Sequence, residues 1–306
     1  VYRVTYVDAV GGTNDLVVRV STHEDVAERV QAEREATVLK KLQGVGAPRL
    51  YDFRNESRWF DTPTMCMQFI EGEHRELMSA PPADVQRLGE VVASVHNLPV
   101  DDLADCFPGP NTTAAYVDGW LELIASYLSR LRDPLPRSVR SRVERAQSLV
   151  SASLERALSA ESRSTEDRLV LLHGDVGPGN ILWSEQPVLI DWEYARLGDP
   201  ADEIAYIFGQ HGLASSQREA FWSGYRRATT HLRLDHVVER VRWWEPVTLL
   251  GSALWWLERW SRRADADAAG DLDPSAAKPQ SYYLDNVLLR LDRFDVAVTS
   301  EPGSRR

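Results

Sequence analysis

LLHGDVGPGNILWSEQPVLIDW, residues Leu171–Trp192, is the most informative stretch of the chain. It sets His173, Asp175 and Asn180 in a loop rich in glycine and proline (Gly174, Gly177, Pro178, Gly179), between the apolar runs Leu169–Leu172 and Ile181–Trp183. A second apolar run, Pro187–Ile190, then delivers Asp191. Two short strands joined by a tight turn would bring Asn180 and Asp191 side by side at the mouth of the loop. One carboxylate and one amide oxygen there are hard donors, the kind Mg²⁺ takes alongside phosphate oxygens and water. Asp175 is left to orient a hydroxyl nucleophile and accept its proton. Phosphoryl transfer needs that division of labour.

The pattern HGDxxxxN, His173 to Asn180, followed by IDWE at Ile190–Glu193, resembles the catalytic and metal-binding loops of the aminoglycoside phosphotransferase and choline kinase superfamily, relatives of protein kinases. The resemblance implies an α+β, bilobal, protein-kinase-like fold. Its N-terminal lobe, residues 1–72, would be a small antiparallel β-sheet with one helix that binds nucleotide. Its large, mostly helical lobe, residues 73–306, would hold the catalytic loop and the acceptor. ATP is the implied phosphoryl donor, with GTP as the alternative, and Mg²⁺ the implied metal. Carried onto matching positions, Asp175 is the catalytic base, His173 supports its loop, and Asn180 and Asp191 are metal ligands. The continuation Glu193–Ala205, EYARLGDPADEIA, also resembles the family, and Asp199 there braces the loop or caps the following helix.

Upstream, Val1–Val7 and Leu16–Val20 read as two strands, joined by DAVGGTND as a hairpin. From Thr22, a candidate N-cap, apolar residues at Val26, Val30, Val38, Leu39 and Leu42 mark an amphipathic helix stopped by Gly44 and Gly46. Strand-like stretches follow at Arg49–Arg54 and Thr64–Ile70. In the kinase pattern the strand before the helix carries the phosphate-binding lysine, and the helix carries its glutamate partner. Glu35 matches the helix glutamate of the family's REAxxL pattern, but Arg19 stands at the lysine position. A planar guanidinium is not a point ammonium, so that exchange has consequences. TMCMQFIEG, Thr64–Gly72, resembles the hinge whose backbone hydrogen-bonds adenine, implying contacts at Gln68, Phe69 and Ile70 with Met67 beside the base. The Gly11-Gly12 turn joins the second and third strands of the family order. The first strand and its Gly-rich loop are thus expected to be missing, as truncation or an internal start would leave them.

Downstream the patterns are helical: Asp84–Asn97, Tyr116–Leu131, Ser138–Ala160, Pro200–Gln210, Ser216–His231, Leu234–Arg263 and Pro279–Val298. Ala264–Pro274 reads as an exposed loop and Glu301–Arg306 as a frayed tail. Half of the ten tryptophans fall between 243 and 260. Glu245, Trp256 and Trp260 are candidate acceptor residues there, because aromatic faces with carboxylates hold ammonium groups.

Composition narrows the partners. With 306 residues and a formal charge of −11, the chain lacks the dense basic face that nucleic acid or an anionic membrane requires, and a small cationic acceptor suits it better. No protein partner is implied. Cys66 and Cys106 are too few for a disulfide framework and read as buried thiols of a cytoplasmic protein. No window of about 18 apolar residues occurs, and the opening lacks the pattern of a secretory leader. Two other classes stay open. One is a nucleotide-binding pseudokinase, suggested by Arg19 and the missing glycine loop. The other is a metal-dependent hydrolase built on His173, Asp175, Asp191 and Glu193.

Overall fold

Valine, threonine and tyrosine in β1 (Tyr2–Val7) and valines in β2 (Thr13–Val20) favour an antiparallel hairpin in the computed structural model, which describes residues 1–21, 26–107, 112–131, 135–161, 169–269 and 278–299. The turn is tighter than the sequence suggests, and β2 begins three residues before the expected Leu16. Asp8 explains this: its carboxylate accepts from the backbone N–H of Val10 (3.0 Å) and Gly12 (2.7 Å) and from the Asn14 amide (2.9 Å), while Gly11 supplies φ +86°.

Two further strands, β3 (Leu50–Arg54) and β4 (Thr64–Gln68), complete a four-stranded antiparallel sheet in the order β1-β2-β4-β3. β4 stops at Gln68, so Phe69 and Ile70, expected inside the strand, lie just beyond it. Helix α1 (Val26–Leu42) buries Glu35, Ala36, Val38, Leu39 and Leu42. Its proposed cap, Thr22, lies outside the described residues. Cys66 and Cys106 are free thiols, but both are half-buried rather than buried. Partial burial still pushes the Cys66 thiol above its ordinary pKa, helped by Asp52.

The remaining strands are short: β5 (Val170–Leu172), β6 (Ile181–Trp183), β7 (Pro187–Leu189) and β8 (Arg196–Gly198). The remaining helices are α2 (Pro82–His96), α3 (Thr113–Arg130), α4 (Arg137–Glu161), α5 (Pro200–His211), α6 (Ser215–Ala228), α7 (Leu234–Ala269) and α8 (Gln280–Thr299). The architecture is therefore α+β, with a small antiparallel sheet and mostly helix elsewhere. Two compact units divide the chain. One comprises Val1–Gly109, Val170–Gly198 and Leu213–Leu232; the other comprises Pro110–Leu169, Asp199–Gly212 and Arg233–Arg306.

In the first unit α2 crosses α6 at Gly89 and Gly224, where backbones approach so closely that a Cβ at either would collide with the carbonyl oxygen of Phe221 or Gln86. The buried Gln217 amide ties α6 to the carbonyls of Leu77 (3.1 Å) and Met78 (3.0 Å). In the second unit Trp244 of α7 is fully buried, with Tyr116 and Trp120 of α3 against its ring at 5.6 and 6.2 Å. Helix α7 runs six residues past the expected Arg263, so Ala264–Ala269 is helical and not loop. Alanine's high helix propensity outweighs the turn bias of the intervening aspartates. The rest of the proposed loop, 270–274, and the tail 301–306 lie outside the described residues. Among the described residues no helix is long and apolar enough to cross a membrane.

Candidate active site

Strand β5 pairs antiparallel with β8 and carries the chain into the HGD loop. Gly174 turns it with φ +85°, and a Cβ there would run into the carbonyl oxygen of Tyr194 and the Arg196 guanidinium. His173 is fully buried beneath the loop. Its Nε2 donates to the carbonyl of Ile190 (2.9 Å), its Nδ1 accepts from the backbone N–H of Asp175 (3.2 Å), and its ring packs 4.5 Å from that of Trp192. This pattern requires the neutral Nε2–H tautomer. His173 thus links the Asp175 turn to the strand before Asp191, and with both nitrogens engaged it is poorly placed to ligate a metal.

The β6–β7 hairpin does what the spacing suggests. Its register sets Ile181 opposite Leu189, and the next pair is joined by the Ile190 N–H to the carbonyl of Asn180 (2.9 Å). Asn180 and Asp191 therefore flank one end of the hairpin. The Asn180 amide nitrogen donates to the Asp175 carbonyl (2.9 Å) and to its carboxylate (3.0 Å). The amide's N–H₂ is consumed and its oxygen is left as the donor atom for a cation. Asp191 stands at φ +64°, ψ 68°, a region a side chain seldom adopts, and its carboxylate is exposed. Among the described residues no group of three His, Cys, Asp or Glu side chains forms an all-protein metal cage. Two protein oxygens are what Mg²⁺ takes when phosphates and water supply the rest, so the donor set fits.

The sheet and α1 bring charge to the same place. Arg19 forms an ion pair with Glu35, itself only 2% exposed, and its Nη1 lies 3.3 Å from Asp191 Oδ1. Burial opposes the Arg19 charge, but Glu35, Asp191 and Glu193 together outweigh it and raise its pKa. Burial pushes the Glu35 carboxyl up more strongly than Arg19 pulls it down. Glu193 is also raised, first by partial burial and then by the negative charges of Asp191 and Glu35. Negative charge gathered from Glu35, Asp191 and Glu193 makes a setting in which a divalent cation is welcome. Sequence reasoning missed Gln31, whose amide donates to Glu193 (3.3 Å). Its signal was position: it lies one helical turn before Glu35, on the same face of α1.

The other candidates make contacts of their own. The Gln68 N–H donates to the Arg49 carbonyl (2.9 Å), the Phe69 ring lies 4.2 Å under the Arg3 guanidinium, and Ile70 is half-buried. Asp199 caps α5, accepting from the Ala201 N–H (2.9 Å), and buries an ion pair with Arg240 (2.9 Å) plus a bond from Trp244 Nε1 (2.8 Å), so it caps α5 and ties that helix to α7. Glu245, Trp256 and Trp260 are all half-buried residues of α7. Glu245 and Trp256 are separated by about 16 Å along the helix axis, too far to grip one ammonium. The Trp256 ring already has Tyr282 at 5.8 Å and the Arg290 guanidinium at 5.4 Å.

This chain belongs to the phosphotransferase enzyme family, whose profile matches residues 1–237. It is 33% identical over 99 residues to the thiamine kinase of Shigella boydii serotype 4 (strain Sb227), a match covering 32% of this chain and 35% of that one. The chain thus spans about a third of the length of that curated relative. Among solved structures it resembles the ethanolamine kinase of Plasmodium vivax (TM-score 0.63, 13% identity, 97% of this chain and 79% of that one). It equally resembles a choline/ethanolamine kinase family protein from Mesorhizobium loti (TM-score 0.63, 20% identity, 94% and 83%). At these identities the structural likeness is one of fold.

Proposed function

We propose that the protein is an ATP-dependent small-molecule kinase that transfers a γ-phosphoryl group to a hydroxyl of a small cationic acceptor, such as an amino alcohol or an aminoglycoside. The observation that carries this reading is the Asn180 amide bound to the Asp175 carboxylate while Asp191, eleven residues on, meets Arg19. A base, two metal-binding oxygens and a phosphate-directed cation are what the reaction requires, in one cluster.

In this reading Asp175, steadied by Asn180 and by the His173 contact to its backbone, orients the acceptor hydroxyl and takes its proton. Arg19, held by Glu35, brings positive charge to the nucleotide phosphates. Asn180 and Asp191 would hold Mg²⁺, which supplies neutralisation of phosphate charge when bound. Gln31 and Glu35 hold the Asp191–Glu193 turn against α1, the latter through the Trp192 N–H. Residues 1–72, with Gln68 to Ile70 at the hinge, would serve the nucleotide, and residues 73–306 the acceptor. Thiamine, ethanolamine and choline, named for the relatives above, each join a hydroxyl to a cationic nitrogen, and a net charge of −11 favours such molecules.

The test is ADP release from Mg-ATP with a panel of choline, ethanolamine, thiamine and aminoglycosides. Acceptor-dependent release is expected. Tight ATP binding with no turnover on the whole panel would contradict the reading in favour of a pseudokinase, and ATP-independent ester hydrolysis would contradict it in favour of a hydrolase.

A further inference from the structure

Arg290 on α8 is a half-buried guanidinium without a carboxylate partner among the described residues. Its Nη1 donates to Asn286 Oδ1 (2.6 Å) and its Nε to Gln210 Oε1 (3.3 Å), both neutral oxygens. Neighbouring acids are committed elsewhere: Asp292 and Asp295 pair with Arg142 at 2.8 and 2.7 Å. Arg293 adds a second positive charge beside it, bonded to the carbonyls of Gly209 and Gln210 at the end of α5. Burial, then Arg293, pulls the Arg290 pKa below its ordinary value.

Gln210 adds an independent sign of the same imbalance. Its oxygen is used by the Ser252 hydroxyl (2.9 Å) and by Arg290, while its buried amide nitrogen has no acceptor. Rotating the amide would set N–H₂ against the Arg290 N–H, donor to donor, so the surplus is built into the packing. A desolvated cation with only neutral oxygens, next to an orphaned donor, is costly unless an anion completes it.

We propose that α5, α7 and α8 form an oxyanion-binding site centred on Arg290, which takes a small molecule bearing a carboxylate or phosphate group. The guanidinium's remaining N–H groups supply a planar fork suited to either oxyanion. Trp256, 5.4 Å from the guanidinium, and the 40%-exposed Tyr282 supply aromatic walls for the rest of the molecule. The site stands independently of the kinase reading, because Arg19 and the HGD loop belong to the other unit.

Calorimetric titration of inorganic phosphate and, separately, succinate into the protein and its Arg290→Gln and Arg290→Lys variants tests this. Saturable binding is expected with at least one probe, weakened tenfold or more in Arg290→Gln and partly kept in Arg290→Lys. The stronger probe identifies the oxyanion. The same probe should raise Tm in the parent and fail to do so in Arg290→Gln. No saturable binding of either probe, or undiminished binding in Arg290→Gln, would overturn the proposal.

Discussion

Arg19 and Asp191 are 172 positions apart in sequence, yet Nη1 of the one lies 3.3 Å from Oδ1 of the other. The same guanidinium pairs with Glu35, so a single side chain joins strand β2, helix α1 and the Asp191 turn. A planar fork can meet two carboxylates at once, where an ammonium offers a point charge. The chain holds 32 arginines and three lysines, and none of those lysines lies on β2.

Arg19→Ala should raise the KM for ATP about tenfold or more, the scale of a lost charge contact. It should also destabilise the fold by about 3–5 kcal/mol, because Glu35 would be left buried without its counter-ion. Arg19→Lys should fall between, restoring charge but not the double contact. Steady-state kinetics and urea unfolding of the same preparations read both effects.

Gly174→Ala should be disabling although it adds one methyl group. The backbone is left-handed there, and the new Cβ meets the Tyr194 carbonyl, so the HGD turn must move. Left-handed strain alone costs about 1–2 kcal/mol. Thermal melting should show a loss at least that large, and kcat should fall with it.

Asp199→Ala removes the cap of α5 and breaks the buried ion pair with Arg240. The expected loss is about 3–5 kcal/mol. Unfolding in urea checks it, and a double substitution with Arg240→Met should recover much of that loss.

Backbone N–H bonds from Gly12 and Val10 hold the Asp8 carboxyl below the usual range. A depressed folded-state pKa gives stabilisation that is fully present above the unfolded value of about 3.9 and is lost as pH falls through the folded one. The hairpin turn should therefore loosen below about pH 4, which amide exchange at Gly12 would detect. In Asp8→Ala that step should vanish from the pH profile.

The juxtaposition of Asn180 and Asp191 was readable because the flanking apolar runs dictate one short hairpin, while the roles expected of these residues came from the family resemblance. Arg19 and Glu35 were readable through the family resemblance, which matches Glu35 to the helix glutamate and Arg19 to the lysine position of the preceding strand. Gln31 was not, because a polar residue on a helix looks the same whether it faces solvent or Glu193. Tryptophan spacing was equally mute. Trp244 and Trp256 look alike in sequence, yet one is sealed in the core with its N–H on Asp199 while the other lies beside Arg290. The end of α7 was misread because aspartate between alanines suggests a turn only when alanine's helix preference is underweighted.

The most direct test of the central claim is the phosphorylated acceptor itself, measured by mass spectrometry for the parent and for Asp175→Asn, with ATP affinity determined on the same samples. The account predicts a product gaining one phosphoryl group, a fall in its rate of a hundredfold or more in Asp175→Asn, and ATP affinity changed by no more than a few-fold. Equal product formation in both proteins would contradict it.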